Sequence, residues 1–493
     1  MRELSIVICL TLTFVFAQTF RPGVQVNDDQ GVCRPFACVR YKQGSIYAMW
    51  QDLRGGQYNN DIYFSKSTDD GYTWTPDVRV NDNSRWEKLA PSFMVDESGI
   101  IYAAWEDRRD SLEGSHIYFT KSLDGGNTWM RPNIRVDDVP TCCFCYDPSL
   151  ALSSSGIIYV AWRDDREMFW KDFISWSTDS GLTWAPAVRI NDDSEGYRWS
   201  PSITVDISGY VYAVWEQDLS DSDGVYFAKS IDGGNSWTRP NIKIDNGVNA
   251  GVPAVAVDND ANIYVVWNDE RTGESHIYFA KSTDGGLTWS ENIRVDDGTP
   301  GGKAVPSIAV DSVSNLYVVW ADTRDGDCDI YFAMSTDGGN NWTVPNIRVN
   351  DDTVFSQHWP DIDVDNEGGI YVAWLDGRYG PYDVYFSKGT ITAIEEKGNL
   401  DFGPSFKCYP NPFKKSISIS FLAPQLKSIQ LQIYDATGRV IKNLVDGQMV
   451  TGFYNKYWDG TDNSGNILPE GIYFCKLRYG KQTQVRKIAL IGH

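Results

Sequence analysis

Repetition constrains this chain more than any other feature. A short apolar segment ending in tryptophan recurs at Ile46–Trp50, Ile101–Trp105, Ile158–Trp162, Val211–Trp215, Ile263–Trp267, Leu316–Trp320 and Ile370–Trp374, at intervals of 52 to 57 residues. A unit of that period cannot bury its apolar faces alone, so neighbouring units must stack. Each copy follows a Pro-led alternating segment such as Pro306–Asp311 and precedes a Tyr/Phe segment such as Ile62–Lys66 or Ile277–Lys281. Short runs of period two between turn residues read as antiparallel strands. Seven copies predict an all-β fold, a seven-bladed β-propeller.

Each Tyr/Phe segment except the last leads into a glycine-bearing box with the spacing S-x-D-x-G-x-T-W: Ser67–Trp74, Ser122–Trp129, Ser177–Trp184, Ser230–Trp237, Ser282–Trp289 and Ser335–Trp342. In a tight hairpin the Asp carboxylate accepts backbone N–H bonds, Gly supplies positive φ, and Trp covers apolar surface. Six boxes serve seven units because the last unit stops at Lys388-Gly389 after three strands. The segment Gly23–Asp28 matches the outer-strand segments Ile134–Asp137, Ile293–Asp296 and Ile347–Asp351 but precedes the first unit. It is expected to pair beside Asp383–Lys388, closing the ring and removing an open sheet edge.

Arg2 ahead of the apolar run Leu4–Ala17 reads as a signal peptide over residues 1–17. The expected organisation continues with a propeller over 18–390, a linker over 391–404 and a small β-sandwich over 405–493. No later stretch is apolar enough for a membrane helix, so a secreted or outer-cell-surface protein is expected. The formal net charge is −22, and residues 391–493 carry 13 Lys and Arg against 8 Asp and Glu, which leaves 31 against 58 upstream. So acidic a main domain excludes nucleic acid and anionic membranes as partners.

Cys142, Cys143 and Cys145 have neither regular CxxC spacing nor a histidine beside them in sequence, so no metal site is expected. The acidic turn Asp258–Asn262 has the groups to hold calcium but lacks the spacing and terminal Glu of a calcium loop, so a solvated turn is the preferred reading and no cofactor is expected. Cys408 and Cys475, the only two cysteines of the tail, are candidates for a disulfide.

The box spacing resembles the Asp box, or BNR repeat, of the sialidase-like β-propeller superfamily. In the tail, Tyr409–Phe413, Ile433–Arg439, Trp458–Asp462, Gly471–Phe474 and Lys487–Leu490 together resemble the C-terminal sorting domain of type IX secretion cargo, which is similar to the immunoglobulin-like domain of flagellar hook-capping proteins. That resemblance implies an immunoglobulin-like β-sandwich and the secretion machinery as a partner.

Loops joining one blade's outer strand to the next blade's inner strand share a face with those joining second and third strands, opposite the Asp boxes. They hold the residues that depart from the repeat, Trp86, Lys88, Arg198, Trp199, Lys303, His358 and Trp359, of which Trp86, Arg198, Trp199, His358 and Trp359 are candidate ligand contacts. A W-x-D-x-R motif opens six of the seven second-to-third loops, with Arg54, Arg109, Arg166, Arg271, Arg324 and Arg378; blade four has Glu216-Gln217-Asp218 instead. The superfamily resemblance implies arginines that clamp a sugar carboxylate. A residue present in six blades also fits a structural ion pair, which is the preferred reading.

The family's Arg-Ile-Pro signature is absent, Phe20-Arg21-Pro22 being no match, and Tyr197 with Glu195 is the nearest approach to its Tyr/Glu nucleophile pair. His116 and His276 fill repeat positions held elsewhere by Asp and read as structural, and His358 has no nucleophile motif beside it. Two functions follow as expectations: a module binding glycans or other extracellular polymers, and, as the alternative, an exo-sialidase-like glycoside hydrolase.

Overall fold

The computed structural model describes residues 16–491 except 30–32, 57–58, 83–85, 110–113, 140–142, 168, 193–195, 219–222, 248, 353, 394–405, 410, 424–426, 450–451 and 480–481. Every helix or strand among them is a strand. The chain forms two compact units, Phe20–Gly389 and Thr390–His493 with Met1–Thr19. Most of the expected signal peptide lies outside the described residues.

The first unit consists of seven antiparallel sheets. Six are consecutive four-stranded blades, the first built from Cys33–Lys42, Ser45–Asp52, Asp61–Ser67 and Val78–Arg79, the sixth from Lys303–Val310, Leu316–Asp322, Asp329–Ser335 and Ile347–Arg348. The seventh sheet has five strands, Gln357–Val364, Gly369–Asp376 and Asp383–Ala393 in chain order, with Val24–Gln25 and Phe16–Phe20 both paired to Asp383–Ala393. Val24 pairs with Phe386 and Gln25 with Tyr385. Asn27 extends the junction, donating from Nδ2 to Asp383 at 2.9 Å and accepting from Val384 N–H at 2.8 Å. The ring therefore closes as the sequence pattern requires.

Nearer the axis, Asp361 of blade seven accepts from Val39 N–H at 2.9 Å and from Arg40 at 2.7 Å, while Asp363 accepts from Tyr41 N–H at 2.7 Å. Both ends of the last blade are thus tied to the first.

The repeat tryptophans explain the period. All seven are fully buried, and in six blades the indole N–H donates to the Asp two residues on, at 2.8 to 3.3 Å. Blade four has Gln217 at that position, and the Trp215 indole N–H has no partner. In the first Asp box, Asp69 accepts from Thr73 N–H and hydroxyl at 2.9 and 2.7 Å, and these bonds hold its carboxyl down at about 2. The box Trp then packs edge-on against the third-strand Phe of the preceding blade: Trp129 on Phe64, Trp184 on Phe119, Trp289 on Phe227, Trp342 on Phe279, and Trp74 on Phe386 across the closure. Gly126 lies so close to Phe64 that a Cβ there would enter the ring.

The tail is a two-sheet sandwich. One sheet orders Phe406–Tyr409, Ile417–Ala423 and Gly452–Trp458; the other orders Val440–Met449, Lys427–Tyr434, Gly471–Tyr479 and Gln482–Leu490. Alternate residues Ile417, Ile419 and Phe421 face Ile429, Leu431, Ile433, Cys475 and Leu477 in one core around buried Trp458.

Candidate ligand site on the loop face

Strand register defines the face. Lys88 at the start of a first strand pairs with Asp107 at the end of the second, which pairs with His116 at the start of the third. All three lie at one edge of the blade, opposite the Asp box. Each first strand bulges just inside this edge, at Phe36, Ala90, Asp147, Ser200, Val252, Val305 and Trp359, all with φ between 47° and 83°. A bulge re-aims the side chains around it. Here it does so once per blade, with different residues each time.

The six repeated arginines are held by carboxylates and amides. Arg54 bonds Asp52 and Asp77 at 2.8 and 2.5 Å, Arg109 bonds Asp107 and Asp82 at 2.6 and 2.7 Å, and Arg166 bonds Asp164 and Asp138, both at 2.7 Å. Arg324 bonds Asp322 and Asp297 at 2.6 and 3.0 Å, and Arg378 bonds Asp376 and Asp351, both at 2.8 Å. Arg271 bonds Asp269 at 2.5 Å and the side-chain carbonyls of Asn246 and Asn292. Every guanidinium also lies 3.9 to 4.1 Å over an aromatic ring of its own blade's third strand. Their side chains are 7 to 21% exposed, and each guanidinium donates to at least two carboxylate or amide groups.

The remaining candidates separate. Arg198 is wholly buried at the seam between blades three and four, where its charge opposes the upward push that burial gives the Asp172 carboxyl, leaving that group at about 8. It cannot reach a ligand on the loop surface. Lys88 and Lys303 are also fully buried. Trp359 packs on Phe36 at 4.8 Å and His358 meets Tyr382 at 5.7 Å, forming a group where blade seven meets blade one. Burial lowers the His358 pKa. Trp86 is half-buried, and its carbonyl accepts from Lys88 at 3.1 Å. Glu195 lies outside the described residues.

Trp199 and Tyr197 instead join a group missed in the sequence. Its centre is Arg163, which follows the core Trp of blade three. The guanidinium bonds Asp147 at 2.7 Å and lies 4.2 Å over Trp199, 5.1 Å over Trp170 and 5.2 Å over Tyr146. Tyr146 stacks with Phe144, and Tyr197 lies between Phe169 and Trp199 as the exposed rim. Nη1 of Arg163 is buried without a hydrogen-bond partner.

Blades two and four place Glu106 and Glu216 at the corresponding position. Burial pushes Glu106 up to about 8 against the pull of Arg108, and also raises Glu216, which accepts from Val252 N–H at 3.0 Å. Gly251 makes that approach possible, since a Cβ there would collide with the Glu216 carboxylate. The sequence signal was the residue between Trp and Asp of W-x-D, which varies inside a repeated frame and is charged only in blades two, three and four.

One group of metal-ligand types is brought together among the described residues. His116, Asp137 and Cys145 place their ligand atoms within 4.8 Å of one another, all buried. The fold thus supplies the histidine that the sequence lacked beside its cysteines. Asp137 already accepts from His116 at 3.0 Å, from Arg135 at 2.8 Å and from Ile117 N–H at 2.7 Å, and burial raises the Cys145 thiol pKa. The same His–Asp pair recurs as His276–Asp296 in blade five, with Lys303 at the strand position of Cys145. These contacts suit a scaffold pair. In the turn Asp258–Asn262, Asp258 is likewise occupied, accepting from Asp260 N–H, Asn262 N–H and Tyr264 O–H at 2.8 to 2.9 Å.

A ring of blades locked by Asp-box hairpins and repeated Asp–Arg clamps, with variable residues gathered on one face, defines a repeat propeller. The chain belongs to the BNR repeat-like domain family, whose model matches residues 44–318. Residues 414–482 match the FlgD Ig-like domain. No curated protein sequence matches the chain.

Solved structures of similar fold include a protein of unknown function from Dyadobacter fermentans, 17% identical, covering 76% of this chain and 99% of that one, TM-score 0.48. The intramolecular trans-sialidase of Ruminococcus gnavus is 14% identical over 63% of this chain and 96% of its own, TM-score 0.45. PorZ, a surface component of the type-IX secretion system of Porphyromonas gingivalis, is 14% identical over 95% of this chain and 60% of its own, TM-score 0.46.

Proposed function

We propose that this protein is an exported propeller, secreted or held at the cell surface, that binds a glycan in the box formed by blades two to four. The observation that carries this reading is the aromatic group around Arg163, in which Tyr146, Trp170 and Trp199 gather at one guanidinium and Tyr197 forms the exposed rim. Aromatic faces stack on sugar rings, and a guanidinium donates to a sugar carboxylate or to ring hydroxyls. Burial pushes the Glu106 carboxyl up to about 8 beside Arg108, which reduces the negative charge held next to the box. That matters for an anionic sugar approaching so acidic a domain.

Hydrolysis is the second reading, because Glu106 exerts the strongest charge effect on the Tyr146 phenol. A sialidase-like Tyr/Glu pair needs an ionised carboxylate to take the phenol proton, and a carboxyl held at about 8 is in the wrong state at neutral pH. Binding without turnover is therefore preferred. The tail, in this proposal, is a sorting domain recognised by the secretion machinery, and residues 1–17 direct the first export step.

The full chain applied to an array of acidic and neutral glycans, alongside a sugar-release assay on the same compounds, tests the reading. Binding to a defined glycan class with no released sugar is expected. Release of sugar makes the protein a hydrolase, and an array without binding removes the glycan proposal.

A further inference from the structure

The tail sandwich carries one cysteine on each of its facing sheets. Cys408 lies on the short strand Phe406–Tyr409, opposite Ile419. Cys475 lies mid-strand in Gly471–Tyr479, between Ile433 and Arg486 on its neighbours. Their side chains enter the same core: Cys475 is wholly buried, and Cys408 packs against that cluster. Both are free thiols here. Two thiols that enter one packed core from facing sheets have the placement an inter-sheet disulfide requires.

We propose that Cys408 and Cys475 form an inter-sheet disulfide when the chain enters an oxidising compartment. The step is thiol–disulfide exchange with a disulfide oxidant, either a protein or a small molecule. The two S–H groups lose two protons and two electrons, the new S–S bond joins the sheets, and the oxidant leaves as two thiols. The partially buried Cys408 is the group an oxidant reaches first, and Cys475 then resolves the mixed disulfide from within the core.

The bond would act where the domain is easiest to open. Phe406–Tyr409 is an edge strand, hydrogen-bonded in its sheet only to Ile417–Ala423. An edge strand of four residues has little to resist peeling. The disulfide ties it to the central strand of the opposite sheet and closes a loop that spans most of the sandwich, which restricts the unfolded chain. Reduced, the tail keeps its fold through the shared core. Oxidised, it holds its first strand against proteases outside the cell.

The test uses the full-length chain, reduced and then incubated with oxidised glutathione under native conditions. Remaining thiols are alkylated after denaturation without reductant, and peptides are mapped by mass spectrometry. The expected result is a linked pair of peptides containing Cys408 and Cys475, with neither residue alkylated, and slower proteolysis within Phe406–Tyr409 than in the reduced chain. Cys408→Ser should leave Cys475 alkylated and abolish that protection. Alkylation of both residues in the oxidised parent, or linkage of Cys408 to a cysteine of the propeller, would overturn the proposal. The parent measurement needs no variant to fold.

Discussion

The ring-closing seam should be weaker above neutral pH than its sisters, and one substitution should repair it. Within the ring, adjacent blades exchange side-chain and backbone bonds between an Asp and an Asn: Asp82 with Asn133, Asp192 with Asn241, and Asp297 with Asn346, at 2.7 to 3.0 Å. Where the N-terminal segment meets blade one the pair is Asp28 and Asp77, with the same reciprocal bonds at 3.0 and 3.1 Å. Burial and the contact with Asp28 push Asp77 up to about 7 against the pull of Arg54, while the shared proton lowers Asp28.

The folded pKa of Asp77 lies above its unfolded value, so the stability tied to its proton is complete below about pH 4 and is lost as pH rises toward 7. The rise from the ordinary carboxylate value to about 7 corresponds to roughly 4 kcal/mol. Arg54 and solvent at this rim screen it, and we take about half, ~2 kcal/mol. Asp77→Asn reproduces the geometry of the other seams, with the amide carbonyl accepting from Asp28 N–H and Arg54. Denaturant unfolding of the propeller transition at pH 4.5 and pH 8, both values chosen on the order of the two ends of the linkage window, measures the difference. The variant should match the parent at the lower pH and exceed it by ~2 kcal/mol at the higher. Equal loss at both pH values would refute the carboxyl-pair reasoning.

Three further outcomes are expected. Gly126→Ala, which places a Cβ inside the Phe64 ring at φ +95°, should cost the propeller about 3 kcal/mol or more, whereas Gly125→Ala, at φ +70° with only Lys66 nearby, should cost about 1 kcal/mol, both read from denaturant midpoints. Binding of an anionic glycan should weaken as pH rises through about 8, where Glu106 ionises and adds a negative charge to the box, and titration across that range checks it. Deleting residues 406–493 should trap a folded propeller in the periplasm, seen by cell fractionation, and unchanged surface or medium levels would overturn the sorting role of the tail.

The architecture was legible because repetition multiplies weak signals. One W-x-D-x-R is an ordinary turn, but six at a fixed period declare a structural role, and the geometry of Arg54 through Arg378 supplies two or more partners for each. Closure by Gly23–Asp28 was readable for the same reason, as a repeat fragment out of order. The site was harder to read. Trp199 was visible as a departure from the pattern and Tyr197 as half of a candidate Tyr/Glu pair, but Arg163 sat inside a motif otherwise assigned to the scaffold, and its aromatic walls come from three segments far apart in sequence. Arg198 looked like a loop arginine because sequence cannot distinguish a loop from a seam: one residue beyond Tyr197, the side chain turns from rim to interior. His116 and Cys145 meet only because consecutive blades stack, an adjacency that spacing rules for metal sites do not contain.

The most direct test of the binding site compares two arginines in one titration. With a glycan selected from the array, affinity and melting are measured for the parent chain, Arg163→Ala and Arg271→Ala. Loss of the boxed guanidinium should lower affinity by tenfold or more, about 1.4 kcal/mol, with the fold retained. Loss of the clamped one should lower stability by about 3 kcal/mol and leave affinity unchanged, because buried Asp269 is stranded without its partner. Affinity that survives Arg163→Ala but falls with Arg271→Ala would contradict the placement of the site between blades two and four.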